Sequence, residues 1–238
     1  METTSHEVKG ELVVTIHIDE LSIDVELIRS VNSALDDAEI SGASSIVFVF
    51  GHGASSPVGG FPSWHLDSAR EDMRYFAKWG ELIARIFTVK AKTFAAYRGR
   101  AGSAALEIGF VADLRMAAPE AGVWLEGLAG GGLPGMSWYW LPKFVGQGVA
   151  RRLLLLGGDL TAADAARLGI FDVVDDDFDA AVESMIESSS AITAEAARFT
   201  RRILHDSLAL ERMSAHEQIK AARYKAGSTV LSLKHQAA

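Results

Sequence analysis

The sequence predicts an α/β fold of mainly parallel strands, closed by a helical C-terminal region. Two patterns carry this expectation. Short β-branched or wholly apolar runs alternate with longer segments of helical apolar periodicity, the mark of βαβ units. Past residue 175 the strand signal stops and only helical spacing continues. A third observation is size: 238 residues, 49% of them hydrophobic, suffice for a substantial core.

Residues 11–19, Glu-Leu-Val-Val-Thr-Ile-His-Ile-Asp, are β-branched and read as a strand. Val25, Ile28, Val31, Leu35 and Ala38 recur at helical spacing over 24–39, with Asp24 placed to cap. Residues 45–50 form a short apolar run after Ser-Gly-Ala-Ser, as a buried parallel strand does. A Gly/Ser/Pro loop occupies 51–63, a long helix 67–87, a strand 93–97 and a helix 103–112. Segments 114–117 and 123–125 are short strands split by a turn. A second Gly-rich loop runs over 127–135, followed by helices at 136–145, 147–155 and 162–168, for the last of which Asp159 and Thr161 are cap candidates. Beyond the acidic triplet Asp175, Asp176 and Asp177, read as a solvated hinge, 179–189 and 194–224 are helical in pattern. The hinge divides an α/β core, 1–175, from a helical region, 176–238.

Composition removes several functions. A net charge of −8 argues against a nucleic-acid binder, because phosphate binding needs a basic face. There are no cysteines, hence no disulfide, thiolate nucleophile or cysteine-type zinc site. The seven histidines show neither His-x-x-x-His nor His-Glu-x-x-His spacing, so no metal site is expected. The glycine loops match neither a P-loop nor a complete Gly-x-Gly-x-x-Gly fingerprint. No basic and apolar leader opens the chain, and no apolar run nears the roughly 18 residues of a membrane span. The expectation is a soluble, cytoplasmic protein.

Chemistry is signalled in one place. Tyr97-Arg-Gly-Arg-Ala-Gly-Ser-Ala-Ala-Leu-Glu107 leads from a strand through a small-residue turn into an apolar helix. Small side chains leave backbone N–H groups open at the helix N-terminus, which suits a developing negative charge. A carboxylate one turn into the helix, Glu107, then lies beside that charge and can move protons.

This turn, with Asp113-Leu-Arg-Met-Ala-Ala, Phe144-Val-Gly-Gln-Gly-Val-Ala-Arg-Arg-Leu and Thr161-Ala-Ala-Asp-Ala-Ala-Arg-Leu-Gly-Ile-Phe-Asp-Val-Val, resembles the crotonase (enoyl-CoA hydratase/isomerase) superfamily over about residues 44–174. The resemblance implies a ββα spiral core and a thioester enolate held in an oxyanion hole. It places Ala104 as one backbone donor and Gly60, with Gly59 close behind, as the other. Glu107 takes the first catalytic glutamate, and Phe61 stands where the family has aspartate. For the second glutamate, counting back from Pro134-Gly135 gives Gly127; Glu126 stands one residue early, which in an extended segment turns a side chain to the opposite face. Glu126 is the second catalytic candidate, and Gly59, Phe61, Gly127 and Trp138 are substrate-binding candidates. Trp138 is also readable as packing.

The short lead into the first helix, Lys78-Trp79, and Leu133-Pro-Gly-Met-Ser-Trp-Tyr are similar to small crotonase-like proteins of dihydroxyphenylglycine biosynthesis, which assist a polyketide synthase. The implied substrate is an acyl-CoA or carrier-bound thioester with no separate cofactor. Lys90, Lys92, Arg98, Arg201 and Arg202 are the cations available to CoA phosphates. The implied assembly is a homotrimer or hexamer whose tail, apolar at Ile203, Leu204, Leu208, Leu210 and Met213, packs on a neighbour, with a synthase as a further partner. Two alternatives stand. Ser103 could be a hydrolase nucleophile, though no histidine lies between His65 and His205 to serve as its base. The chain could also be a non-catalytic accessory protein.

Overall fold

The computed structural model describes residues 1–19, 25–51, 69–125, 136–206, 217–218 and 221. The strands are β1 (Glu2–Val8), β2 (Glu11–Ile18), β3 (Ser45–Phe50), β4 (Lys92–Tyr97), β5 (Arg100–Ala101), β6 (Leu114–Ala117), β7 (Gly122–Leu125), β8 (Gly158–Thr161) and β9 (Val173–Val174). The helices are α1 (Val25–Ser41), α2 (Ala69–Thr88), α3 (Ser103–Val111), α4 (Ser137–Leu156), α5 (Ala162–Arg167), α6 (Phe178–Ser188) and α7 (Ala194–Asp206).

A six-stranded sheet runs β1-β2-β3-β4-β6-β9, antiparallel at β1–β2 and parallel elsewhere. A smaller sheet, β5-β7-β8, stands apart from it. Period-2 alternation splits the large sheet into two packed faces. Ile16, Ile18, Ile46, Phe48, Phe50, Ala95 and Tyr97 face the main core beneath α1 to α4. Val13, Val47, Val49, Phe94, Ala96 and Met116 face a second cluster closed by Phe178, Met185 and Ile186 of α6. β3 is thus buried on both sides, which is why its sequence is an unbroken apolar run.

The expected α/β alternation stands, with corrections. The structure adds a strand, β1, that the sequence reading lacks. β1 pairs with β2 over seven positions through a Lys9–Gly10 turn whose two positive φ values, 49° and 80°, suit a tight hairpin. The two helices expected at 136–145 and 147–155 stand as the two halves of α4, parted at Gly146, whose φ of 76° and ψ of 160° break the helical path. Asp177 is a cap, accepting from the Ala180 N–H at 3.3 Å, and Asp175 accepts from the Asp177 N–H. The triplet therefore starts α6, which adds Phe178, Met185 and Ile186 to the second cluster. Thr161 caps α5 as expected, accepting from the Asp164 N–H at 3.1 Å; Asp159 instead pairs with Arg100.

α7 is fastened by Arg201. Its guanidinium donates to the carbonyls of Ile86, Phe87, Val89 and Ala91, and its Nε lies 2.9 Å from Asp113 Oδ1. Ile86 and Phe87 belong to the last turn of α2, whose carbonyls have no intrahelical donor and carry the negative end of the helix dipole. Burial lowers the Arg201 pKa, Asp113 raises it against that effect, and Arg198 adds to the lowering. Asp113→Asn leaves this buried cation without its counter-ion. It is expected to destabilise the fold by about 2 kcal/mol, the usual worth of a hydrogen bond to a charged group, read as a lower denaturant midpoint with an unchanged slope; an unaltered midpoint contradicts the anchoring role.

Candidate active site

α3 begins where the chain leaves β5, with Gly102 at the cap position and no side-chain cap bond. The N–H groups of the first turn, Ala104 among them, therefore have no intrahelical acceptor. No residue between 99 and 107 has a positive φ. Ser103, Ala104 and Ala105 can occupy this turn because no left-handed backbone is required. Every residue of α3 is buried, Glu107 included.

Glu107 is wholly inaccessible at 0% exposure, so its carboxylate must be satisfied by the protein. Trp79 Nε1 of α2 donates to Oε2 at 2.8 Å. The Ser137 backbone N–H, first in α4, donates to Oε1 at 3.1 Å, and the Ser137 hydroxyl lies 3.2 Å from the same oxygen. The indole and backbone N–H groups can only donate, so both oxygens face obligate donors. The carboxylate also serves α4: Met136, at the cap position, supplies no side-chain bond, and Glu107 accepts from the first N–H of the helix, one of the donors with no intrahelical acceptor. Three helices distant in sequence thus converge on one carboxylate.

Ala104 and Glu107 are brought together as expected, on one turn of α3. Trp138, 38% exposed, follows Ser137 at the start of α4. Gly59, Gly60, Phe61, Glu126 and Gly127 lie outside the described residues. Trp79 and Ser137 were visible in the sequence only within motifs, with no role attached. A tryptophan buried as Trp79 is needs a partner for its N–H, and that requirement is the signal that could have found it.

Two of the five proposed cations are corrected. Lys92 is buried, its Nζ 2.7 Å from Glu11 Oε2 and 3.2 Å from the Ser189 carbonyl. Arg201 is committed to α2. Both are structural because each starts or docks an element where a buried charge must be paired. Lys90 and Arg202 are exposed, and Arg98 lies over the Phe178 ring at 4.2 Å beside Asp179. Ser103 is buried, and among the described residues no hydrogen bond joins it to a histidine; its carbonyl lies 3.5 Å from the Ser137 hydroxyl. Among the described residues there is no cluster of three His, Asp or Glu side chains fit for a metal, and no helix long and apolar enough to cross a membrane.

The family model described as enoyl-CoA hydratase/isomerase matches residues 20–235. An enoyl-CoA hydratase of Amycolatopsis orientalis is 28% identical over 130 residues, 55% of this chain and 60% of that protein. The matched length is thus under two thirds of that curated relative. Among solved structures, a protein described as an enoyl-CoA hydratase from Mycobacterium smegmatis superposes with a TM-score of 0.77 at 19% identity, covering 98% of this chain and 96% of that one. One described as a polyketide biosynthesis enoyl-CoA hydratase from Bacillus subtilis gives 0.73 at 17% identity, covering 96% and 92%. At such identities the structural likeness establishes the fold.

Proposed function

As the chain belongs to the enoyl-CoA hydratase/isomerase family, we propose that it is an enzyme acting on an acyl-CoA or carrier-bound acyl thioester through an enolate. The observation that carries this reading is the Glu107 carboxylate, fully buried and fixed by three helices on the turn that holds Ala104. In it the thioester carbonyl takes the Ala104 N–H and that of Gly60 or Gly59. Charge collecting on that oxygen as a proton or a β-substituent leaves is met by fixed donors, each typically worth about 3 kcal/mol of barrier. Glu107 exchanges the proton.

The reactions proposed are dehydration, with hydration as its reverse through the same transition state, and isomerisation. An ionised carboxylate offers about four acceptor positions. The Trp79 indole and both groups of Ser137 approach three of them. A carboxylate held in this way is set to exchange a proton with a substrate carbon or with a departing β-oxygen. Glu126 is proposed as the second carboxylate, with Gly59, Phe61, Gly127 and Trp138 lining the acyl site. A biosynthetic setting rests on the Bacillus subtilis neighbour's description. Lys90, Arg98 and Arg202 are the cations proposed for CoA phosphates. Phe199 and Ile203 of α7, 62% and 55% exposed and one turn apart, form the face proposed to pack on a neighbouring subunit in a trimer or hexamer.

A second reading has its own support. Because Glu107 caps α4 and bonds Trp79, the fold needs this glutamate even without chemistry. A non-catalytic role beside a synthase is compatible with that. The purified protein, assayed against 3-hydroxyacyl-, enoyl- and malonyl-type CoA thioesters, is expected to turn over 3-hydroxyacyl or enoyl substrates. Preferential loss of CO2 from malonyl-CoA shifts the assignment to a decarboxylase, and inertness on the whole panel favours the accessory role.

A further inference from the structure

The geometry points to Tyr97 as a positioning residue of this site: its hydroxyl keys α3 along the helix axis and thereby sets where Ala104 and Glu107 stand. The hydroxyl donates to the Ala105 carbonyl at 3.0 Å, and Ala105 lies between Ala104 and Glu107 in the chain. The same oxygen rests in the notch that Gly109 leaves one turn further on, where a Cβ would come within 1.9 Å of it. Apart from Ser103 and Glu107, α3 carries only apolar side chains or glycine. Burial of such surface is non-directional, so it holds the helix against the core without fixing where along its axis the helix stops. A hydrogen bond has a preferred distance and angle, and it supplies the register that burial alone does not.

The tyrosine can serve as a fixed point because it is itself held. Its backbone is in register with Phe50 of β3 on one side and Ala117 of β6 on the other. Its ring is fully buried, stacked on Phe50 at an interplanar angle of 14° and tilted against Phe171. Burial raises its pKa, with Arg115 lowering it to a smaller degree, so the hydroxyl keeps its proton and remains a donor. The inference rests on the proposed reading, in which the Ala104 N–H meets the enolate oxygen and Glu107 exchanges the proton. Both groups ride on α3, so a small displacement of the helix misplaces both at once. Misplacement of that kind lowers kcat more than it weakens substrate binding.

The test compares Tyr97→Phe with the parent and with Ile186→Val, all measured well below their melting temperatures. Tyr97→Phe keeps the ring and removes the hydroxyl. Ile186 is buried in the second cluster, on the other face of the large sheet, so losing one of its methylenes changes stability away from α3. On the thioester that the parent turns over, Tyr97→Phe is expected to lose about ten-fold in kcat with KM within about two-fold, whereas Ile186→Val keeps both. Independently of turnover, the Trp79 indole N–H, which donates to Glu107 Oε2 at 2.8 Å, reports where that carboxylate stands. Its resonance, assigned by its loss in Trp79→Phe, is expected to move in Tyr97→Phe and to stay in Ile186→Val. An indole resonance unmoved in Tyr97→Phe overturns the proposal, and so does a moved resonance with kcat unaltered on an active parent. An equal fall of kcat in the two variants overturns it too, because the loss then follows stability and not the hydroxyl. If the parent is inert on every thioester, the acid–base reading fails and the catalytic consequence of Tyr97 falls with it, while the resonance still decides whether the hydroxyl places α3.

Discussion

Replacing Glu107 by Gln is expected to lower thioester turnover by at least about 100-fold, the lower range for removing a general acid–base group. The substitution keeps the volume and removes the charge and the exchangeable carboxyl proton. It also has a structural cost that must be separated from the chemical one. The carboxylate lies between the Trp79 indole N–H and the Ser137 N–H, both obligate donors. A glutamine has one acceptor oxygen, so either orientation turns its amide N–H groups toward one of those donors. Leaving a buried donor unmatched costs about 1–3 kcal/mol. Glu107→Gln should therefore be less stable as well as inactive. Adding Trp79→Phe removes the opposing donor and is expected to recover stability without recovering activity. Recovery of activity in the double variant would show that the first loss was one of folding, and Glu107 would lose its chemical role.

Gly109→Ala is expected to be the most destabilising small substitution in α3. A Cβ built there comes 1.9 Å from Tyr97 Oη and 3.1 Å from Tyr97 Cζ. Tyr97 has nowhere to retreat. Its ring is fully buried, stacked on Phe50 at 4.9 Å between centroids and tilted against Phe171 at 5.1 Å, and its hydroxyl donates to the Ala105 carbonyl at 3.0 Å. The helix must lift instead, and Glu107 rides on it. Overpacking of this kind costs about 3 kcal/mol, and turnover should fall with it. Tyr97→Phe in the Gly109→Ala background removes the clashing oxygen and is expected to return about half the loss; no recovery would place the strain elsewhere.

The same tyrosine sets an alkaline limit. Burial raises the Tyr97 pKa well above the ordinary value near 10, and Arg115 lowers it to a smaller degree. The folded chain keeps this phenol protonated while the unfolded chain ionises it. Its contribution is complete below about pH 10 and is lost as pH rises further. A plot of melting temperature against pH should accordingly fall less steeply above pH 10 in Tyr97→Phe than in the parent.

The large sheet was legible in the sequence where burial is one-sided or total. The apolar run of β3 and the strand and helix flanking the Glu107 turn follow from periodicity alone. β1 was hidden because six of its seven residues are exposed, so no apolar alternation marks it. Its Thr-Thr pair and the Lys9-Gly10 turn were the available cues. β5 and β9, two residues each, are too short for any pattern. At the site, Glu107 and Ala104 were readable because four residues of one helix fix their relation. Trp79 and Ser137 are 28 and 30 residues from Glu107, and no local rule connects them to it. Lys92 and Arg201 were misplaced for the opposite reason: a charged residue is by default read as solvated, and only tertiary packing reveals a paired buried one.

The cap that Glu107 provides to α4 bears on how sequences of this kind are compared. A glutamate that folding requires is kept whether or not turnover also requires it. A descendant that no longer processed thioesters would still be penalised for changing it, because a helix start and an indole would lose their acceptor. A glutamate at this place in another sequence would therefore be evidence of the architecture and not, by itself, of catalysis.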